Sequence, residues 1–176
     1  SALGRQQALV LGQYVKRFEF DVLYVSPMKR ALATADPVGK EQGLKAEVVD
    51  ELREVDFGEW TGKTWMQVGE EYGINVFTWL DELMAGRVKD AEKGLDFLGR
   101  VGAATDQILA ANVGRRVGIV CHGGVIRAML AHLLGIPLGM WGAIDIAYAS
   151  VSRVEVCQRK REATLINLAP WRDIPE

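Results

Sequence analysis

The sequence has few of the residues on which disulfide frameworks and metal sites are built. Among its 176 residues there are two cysteines, Cys121 and Cys157, and two histidines, His122 and His132. Two cysteines do not make a disulfide scaffold, which favours the reducing cytoplasm as the location. No spacing of His, Cys and Asp residues is typical of a metal site, so we expect no bound metal.

The sequence also lacks a strong net charge and a long apolar run. Its formal net charge is −2, which gives no electrostatic reason to expect nucleic acid or another polyanion as a partner. The longest apolar region, residues 128–146, is interrupted by His132, Pro137 and several glycines, so we expect no membrane span. Hydrophobic residues make up 49% of the chain and charged residues 25%, as in ordinary globular proteins, and we assign residues 1–176 to one domain.

Strand-like and helix-like segments alternate along the chain. Ser1 and Thr64 are predicted helix caps, Ser26-Pro27 is a predicted helix start, and Pro37 is expected to kink or break the second helix. One helix is marked by Val76, Phe77, Leu80, Leu83 and Met84. Strands are predicted at residues 21–26, 45–49 and 117–120, with a terminal hairpin from residues 147–156 and 163–168. The alternation predicts a three-layer α/β/α fold with a mainly parallel, mixed sheet and an antiparallel edge.

The segment at residues 117–130, VGIVCHGGVIRAML, has the pattern of an anion-binding site. A short β-branched run predicts a buried strand, two glycines follow His122, and apolar residues then recur at helical spacing. The free N–H groups of a helix start, with the helix dipole, favour a negatively charged ligand. His122 and Arg127 lie in or beside this turn, although a lone histidine is more often a satisfied core residue.

Two other segments carry charges that could join such a site. Arg30 follows the predicted strand at residues 21–26, and the strand-end loops of an α/β sheet share one edge. An acidic run surrounds Phe57 and Trp60, which could shield one carboxylate and raise its pKa. Taken alone, each of these charges is more often simply solvated. The acidic run consists of Glu51, Glu54, Asp56 and Glu59.

Taken together and in order, the motifs SPMKRALATA, LREVDFGEWTG and CHGGVIRAML resemble the histidine phosphatase superfamily, the phosphoglycerate-mutase-like family. The resemblance covers nearly the whole chain, and FGEWTG is similar to the phosphatase branch. It implies a metal-independent, acid-type phosphatase with a phosphoglycerate-mutase-like fold and no cofactor. A phosphohistidine intermediate and a small phosphorylated metabolite as substrate are also implied.

The resemblance assigns roles to four residues. It implies that Arg30 contacts the phosphate and that Glu54 donates and accepts the proton. It implies that His122 hydrogen-bonds the phosphate and stabilises the transition state, with the backbone N–H of Gly123 as a further donor. Positioned cations and N–H donors suit phosphoryl transfer, because the transferring group carries charge on its outer oxygens.

The sequence departs from the family in one important respect. Family members use a nucleophilic histidine in an N-terminal Arg-His-Gly motif, and neither His122 nor His132 follows an arginine. The favoured explanation is a preceding segment that holds the first strand and the nucleophile loop. A relative that has lost catalysis and kept phosphate binding is a second explanation, and a different nucleophile is a third.

Cys121 gives the third explanation a specific form. Cys121 and Arg127 have the C-x5-R spacing of cysteine-dependent phosphatases, in which the loop lowers the pKa of the thiol. Two fixed positions match often by chance, and a core-facing thiol is the favoured interpretation.

The physiological substrate cannot be read from the sequence. Phosphoglycerate-mutase-type phosphotransfer stays an alternative to hydrolysis, and a homodimer stays open. Specificity in the family lies largely in the variable segment, here residues 64–94. Candidate substrate contacts in it are Trp65, Trp79, Arg87, Lys89 and Lys93.

Overall fold

Three parallel strands form the central sheet of the structure, a computed structural model that describes residues 1–75 and 78–174. β1 (Val22–Val25) lies between β2 (Glu47–Val48) and β3 (Val117–Val120). Because all three strands run in the same direction, their carboxyl ends lie at one edge of the sheet. The predicted parallel arrangement is confirmed, although β2 is shorter than the predicted strand.

The side chains of β1 alternate between two hydrophobic clusters, as expected for a sheet covered on both faces. Leu23 packs with Leu11 and Val38 on one face, whereas Tyr24 packs against the larger cluster around Phe97 and Val125 on the other. The fold therefore has the predicted three layers. The helices are α1 (Ala2–Val15), α2 (Lys29–Gln42), α3 (Trp65–Tyr72), α4 (Trp79–Met84), α5 (Gly94–Ala111), α6 (Gly123–Leu134) and α7 (Pro170–Asp173).

The predicted terminal hairpin is present, but it does not extend the central sheet. β4 (Val151–Val156) and β5 (Arg161–Leu168) pair with each other in a separate antiparallel sheet. Within the described residues, β3 has β1 as its one strand neighbour, so the expected antiparallel edge is not formed. Side-chain packing holds the hairpin instead, because Ala149 and Val151 contact the cluster that contains Leu23.

Two of the predicted helix caps, Ser1 and Thr64, are confirmed. The Ser1 hydroxyl accepts a hydrogen bond from the Gly4 N–H at 3.1 Å, and Thr64 forms a complete capping box with Gln67. The predicted helix start at Ser26-Pro27 is wrong, because α2 begins at Lys29 after Met28 as its N-cap.

Two other expectations concern the interior and start of helices. Pro37 lies inside α2 without ending it, and the helix continues to Gln42. Val76 and Phe77, expected to begin a helix, lie outside the described residues, and α4 starts at Trp79. Across residues 1–75 and 78–174, every helix falls short of the length and apolar character that crossing a bilayer requires.

Candidate functional site

The carboxyl edge of the parallel sheet brings together three of the segments singled out in the sequence. Ser26 follows β1, His122 follows β3 after one residue, and Glu54 lies on the loop after β2. Because β1 and β3 are paired in parallel, Ser26 and His122 are neighbours. The strand pattern predicts this shared edge for the segments of Ser26 and His122, and the structure adds Glu54 to it.

The N-terminus of α6 forms one wall of the site. The predicted helix is present, but it starts at Gly123 after His122 as its N-cap, so both glycines lie inside its first turn and not before it as predicted. The Gly124 N–H donates to Glu54 Oε2 at 3.2 Å, and the Val55 N–H donates to Glu54 Oε1 at 3.1 Å. The Glu54 carboxylate therefore lies against the positive end of the helix dipole.

Gly124 has to be glycine for this contact to exist. A Cβ atom at this position would lie 2.5 Å from Glu54 Oε1, well inside van der Waals contact. The missing side chain lets the carboxylate reach the backbone N–H. The sequence pattern identifies the turn but not this close approach.

The imidazole of His122 bridges two other site residues. Arg30 Nε donates to His122 Nδ1 at 3.2 Å, and His122 Nε2 lies 2.7 Å from Ser26 Oγ. An arginine only donates hydrogen bonds, so Nδ1 is the acceptor and the proton of the neutral ring is on Nε2, which donates to Ser26. Ser26 is fully buried. Its hydroxyl therefore orients the ring, a role that the sequence analysis missed by treating it as a helix cap.

His122 is neutral near physiological pH. Burial, together with the positive charges of Arg30 and Arg100, lowers the pKa of His122 to about 4. Because the ring is neutral and its Nδ1 faces an arginine, Nδ1 can take up a proton when an anion binds between the two side chains.

The low pKa of His122 makes folding stability depend on pH. The histidine binds its proton near pH 6.5 in the unfolded chain but only near pH 4 in the folded chain. Its contribution to the free energy of unfolding is therefore fully present above pH 6.5 and is lost as the pH falls toward 4. Between pH 7 and pH 4.5 this histidine is expected to remove about 2 kcal/mol from the free energy of unfolding. Urea unfolding at the two pH values measures it. A His122→Asn variant that shows the same loss as wild type would contradict the assignment.

Glu54 differs electrostatically from the rest of its acidic run. Burial raises the pKa of the Glu54 carboxyl, although hydrogen bonds from Gly124 and Val55 and the charges of Arg30 and Arg100 oppose the change. Glu51, Asp56 and Glu59 are exposed. A carboxyl group with a raised pKa is suited to donating and accepting protons.

The C-x5-R pair does not have the properties of a thiol site. Cys121 packs against the larger core cluster, and burial raises the pKa of its thiol to about 12. Arg127 Nε donates to the Ile144 carbonyl at 2.8 Å, with the guanidinium lying beside Gly123. A thiol with this pKa is protonated at neutral pH and is a poor nucleophile.

The candidate specificity residues occupy different places. Trp65 and Trp79 both make edge contacts with Phe57, each with ring centroids 5.3 Å apart. These two tryptophans therefore pack on Phe57, which lies three residues after Glu54 in the sequence. Arg87 is paired with Glu82 on an exposed surface. Among the described residues, no group of three or more His, Cys, Asp or Glu side chains could hold a metal ion.

Arg100 is a further site residue that no sequence motif singles out. This residue lies on α5, and its guanidinium donates to the Glu54 carbonyl at 3.3 Å and to Glu92 Oε1 at 2.6 Å. An arginine inside a helix carries no sequence signal that separates it from a solvated one.

Comparison with known proteins identifies relatives over nearly the whole chain. Residues 1–169 match the family model of the histidine phosphatase superfamily (branch 1). The chain is 27% identical over 168 residues to phosphoserine phosphatase 1 of Hydrogenobacter thermophilus, a match that covers 96% of this chain and 80% of that protein. It is 30% identical over 147 residues to glucosyl-3-phosphoglycerate phosphatase of Mycolicibacterium vanbaalenii, which covers 80% of this chain and 65% of that protein.

Solved structures of phosphatases have a similar fold. The native structure of a mycobacterial glucosyl-3-phosphoglycerate phosphatase superposes with a TM-score of 0.83 at 25% identity, covering 96% of this chain and 88% of that one. The α-ribazole phosphatase from Shigella flexneri superposes with a TM-score of 0.80 at 23% identity, covering 95% of this chain and 83% of that one. The second likeness concerns the fold alone.

Proposed function

Because the chain belongs to the histidine phosphatase superfamily (branch 1), we propose that it hydrolyses a small phosphomonoester by metal-independent phosphoryl transfer. The observation that carries the proposal is the group formed by Arg30, His122 and Glu54 at the N-terminus of α6. It brings a cation, a ring nitrogen and a carboxyl group together at one helix N-terminus.

In this proposal the phosphate binds between Arg30 and the start of α6. The guanidinium of Arg30 turns from His122 Nδ1 to the phosphate oxygens, for which its planar fork is suited. The Gly123 N–H is a further donor, as a helix N-terminus provides. His122 Nδ1, released from Arg30, takes up a proton and donates it in a hydrogen bond to the phosphate, while Ser26 keeps the ring in place.

The reaction then proceeds in two steps. A nucleophilic histidine attacks phosphorus, the ester P–O bond breaks, and the protonated Glu54 carboxyl gives its proton to the leaving oxygen. Water then attacks the phosphohistidine, the P–N bond breaks, and the Glu54 carboxylate takes the proton from water. Inorganic phosphate leaves and the site returns to its first state. The raised pKa of Glu54 supports this role.

The nucleophilic histidine in this mechanism is supplied from outside residues 1–176. Two observations support this part of the proposal. His122 is engaged by Arg30 and Ser26, and His132 is paired with Asp106 at 2.8 Å on the surface of α5 and α6. In addition, β3 has β1 as its one strand neighbour among the described residues, which leaves an edge where a further strand fits.

The relatives favour hydrolysis over phosphotransfer between metabolites, because those compared above are named as phosphatases. The relatives are named for different substrates, and we propose for this protein a substrate of the class of small phosphorylated metabolites.

Hydrolysis of p-nitrophenyl phosphate by the natural protein, expressed from its complete reading frame, tests the proposal. We expect metal-independent turnover that the Cys121→Ser variant retains and the His122→Ala variant loses. The reverse pattern would establish a thiol mechanism. Phosphate binding without turnover would make the protein a non-catalytic phosphate-binding relative and overturn the enzyme assignment.

Gly124→Ala is expected to damage catalysis while sparing the fold. The added Cβ displaces the Glu54 carboxylate from the Gly124 N–H, and we expect kcat to fall about 10- to 100-fold because a proton donor loses its position. The free energy of unfolding should change by about 1 kcal/mol or less, since alanine is the better helix former. Gly99→Ala is the matched control, because a Cβ there meets no atom within 4 Å. Equal kcat values for the two variants would contradict the account.

A further inference from the structure

We propose that Arg100 and Glu92 form a clamp that positions Glu54 for proton transfer, a role that rests on the function proposed above. Arg100 is a positioning residue in this proposal, because it holds the loop that carries Glu54 and does not touch the reacting atoms. The clamp lies outside the three motifs that identify the site.

The first observation is the set of carbonyl groups that Arg100 binds. Its Nη1 donates to the Glu51 carbonyl at 2.5 Å and to the Arg53 carbonyl at 2.8 Å. Its Nη2 donates to the Glu54 carbonyl at 3.3 Å. Three carbonyls within four residues are thus bound by one side chain.

The second observation is the ion pair that fixes the guanidinium. Arg100 Nε and Nη2 donate to the two carboxylate oxygens of Glu92 at 2.6 and 2.8 Å. The two side chains are only 11% and 14% exposed, so this is a bidentate pair that is largely removed from solvent. With the three carbonyls, it gives each of the five N–H donors of Arg100 an acceptor.

Glu92 joins the same loop from the other direction. Its N–H donates to the Asp56 carbonyl at 2.9 Å, and its Oε2 accepts from the Asp56 N–H at 3.4 Å. The loop is therefore held before Glu54 and at Glu54 by Arg100, and after it by Glu92. Residues 54–57 have no helical or strand structure of their own, so these contacts set the loop's place.

The clamp and α6 hold opposite ends of the same residue. Arg100 binds the backbone carbonyl of Glu54, and the N–H groups of Val55 and Gly124 bind its carboxylate. A carboxyl group fixed at both ends keeps one position relative to the phosphate, as efficient proton transfer requires. The positive charge of Arg100 also opposes the effect of burial on the pKa of Glu54.

Lysine cannot replace this arginine, because a single ammonium group cannot reach two carboxylate oxygens and three carbonyls at once. Arg100→Lys therefore keeps the charge and removes the clamp, and Glu92→Gln removes the charge from the partner. Arg172→Lys is the matched control. It alters a second bidentate arginine–carboxylate pair, with Asp173, which lies on an exposed surface outside the site.

Two measurements on these variants test the proposal. In the natural protein, kcat for an alkyl phosphate is expected to fall about 10- to 100-fold in Arg100→Lys, with a shift of the alkaline side of its pH profile, where Glu54 loses the proton that it donates. The Kd for inorganic phosphate should stay within about threefold, because the contacts of Arg30, His122 and Gly123 are untouched. Arg172→Lys is expected to stay within about twofold in both quantities.

Hydrogen exchange of the Gly124 amide is the second measurement and needs no turnover. In both Arg100→Lys and Glu92→Gln we expect it to exchange at least about tenfold faster than in wild type, because the Glu54 carboxylate that protects it loses its position. No change in Gly124 exchange overturns the clamp, whatever the activity. Faster exchange with an inactive wild-type protein would support the clamp and overturn the proposed function instead. A kcat loss of the same size in Arg172→Lys would overturn the clamp.

Discussion

A Glu54→Gln variant of the natural protein is expected to hydrolyse an alkyl phosphate about 10²- to 10⁴-fold more slowly than wild type. Glutamine keeps the shape, but its single amide oxygen accepts only one of the two hydrogen bonds that Gly124 and Val55 donate to the carboxylate, and its amide cannot give a proton to the leaving oxygen. An alkoxide is a strong base and leaves poorly without that proton. Steady-state kcat measured at the pH optimum of wild type gives the ratio.

The leaving group provides an internal control for this prediction. p-Nitrophenolate is a weak base that departs without protonation, so the same variant should lose much less of its kcat/KM, which reports the step that breaks the ester P–O bond, on p-nitrophenyl phosphate than on the alkyl phosphate. Glu51→Gln, in the same acidic run but exposed, should behave as wild type with both substrates. An equal loss of kcat/KM on the alkyl and aryl substrates would show that Glu54 acts in binding or folding and not as the proton donor.

The His122→Ala variant is expected to lower kcat about 10²- to 10³-fold, the usual cost of removing one donor to a developing negative charge. It removes the ring that faces Arg30 and leaves Arg30 without a neighbour to orient it. The loss should appear with both leaving groups, because His122 stabilises the phosphoryl group and not the departing oxygen. Steady-state kinetics with the two substrates measures it.

His132→Ala is the matched control for this variant, since it removes the second of the chain's two histidines. His132 lies with Asp106 between α5 and α6, outside the group formed by Arg30, Ser26 and His122. It should therefore retain kcat within about twofold. If the two variants lost activity equally, a general effect of histidine loss on the fold would explain the result, and the role assigned to His122 would be wrong.

The centre of the site is predictable from sequence because local rules decide it. A β-branched run, two glycines and helical spacing specify β3, the turn at His122 and the start of α6 within a few residues of chain. The capping box at Thr64 is similarly local. The parallel pairing of β1 with β3 then follows from the alternation of strands and helices.

What the sequence could not predict depends on contacts between distant residues. Ser26 has the pattern of a helix cap, yet its hydroxyl lies 2.7 Å from His122 Nε2, and the helix starts at Lys29. Arg100 has the pattern of an exposed helix arginine, yet it binds carbonyls 46 to 49 residues away. The terminal hairpin is predicted at the edge of the central sheet, but it forms a separate sheet. Strand pairing depends on the positions of both strands, and the sequence pattern of one strand does not give the position of its partner.

Titration of inorganic phosphate into the chain, followed by the ¹⁵N chemical shifts of the His122 ring, tests the central claim most directly. Bound phosphate is expected to raise the pKa of His122 from about 4, so that the ring takes up a proton at Nδ1 near neutral pH. The Arg30→Ala variant should require about tenfold or more phosphate for the same change. Saturating phosphate that leaves the ring neutral and its shifts unchanged would contradict the claim that Arg30 and His122 form a phosphate site.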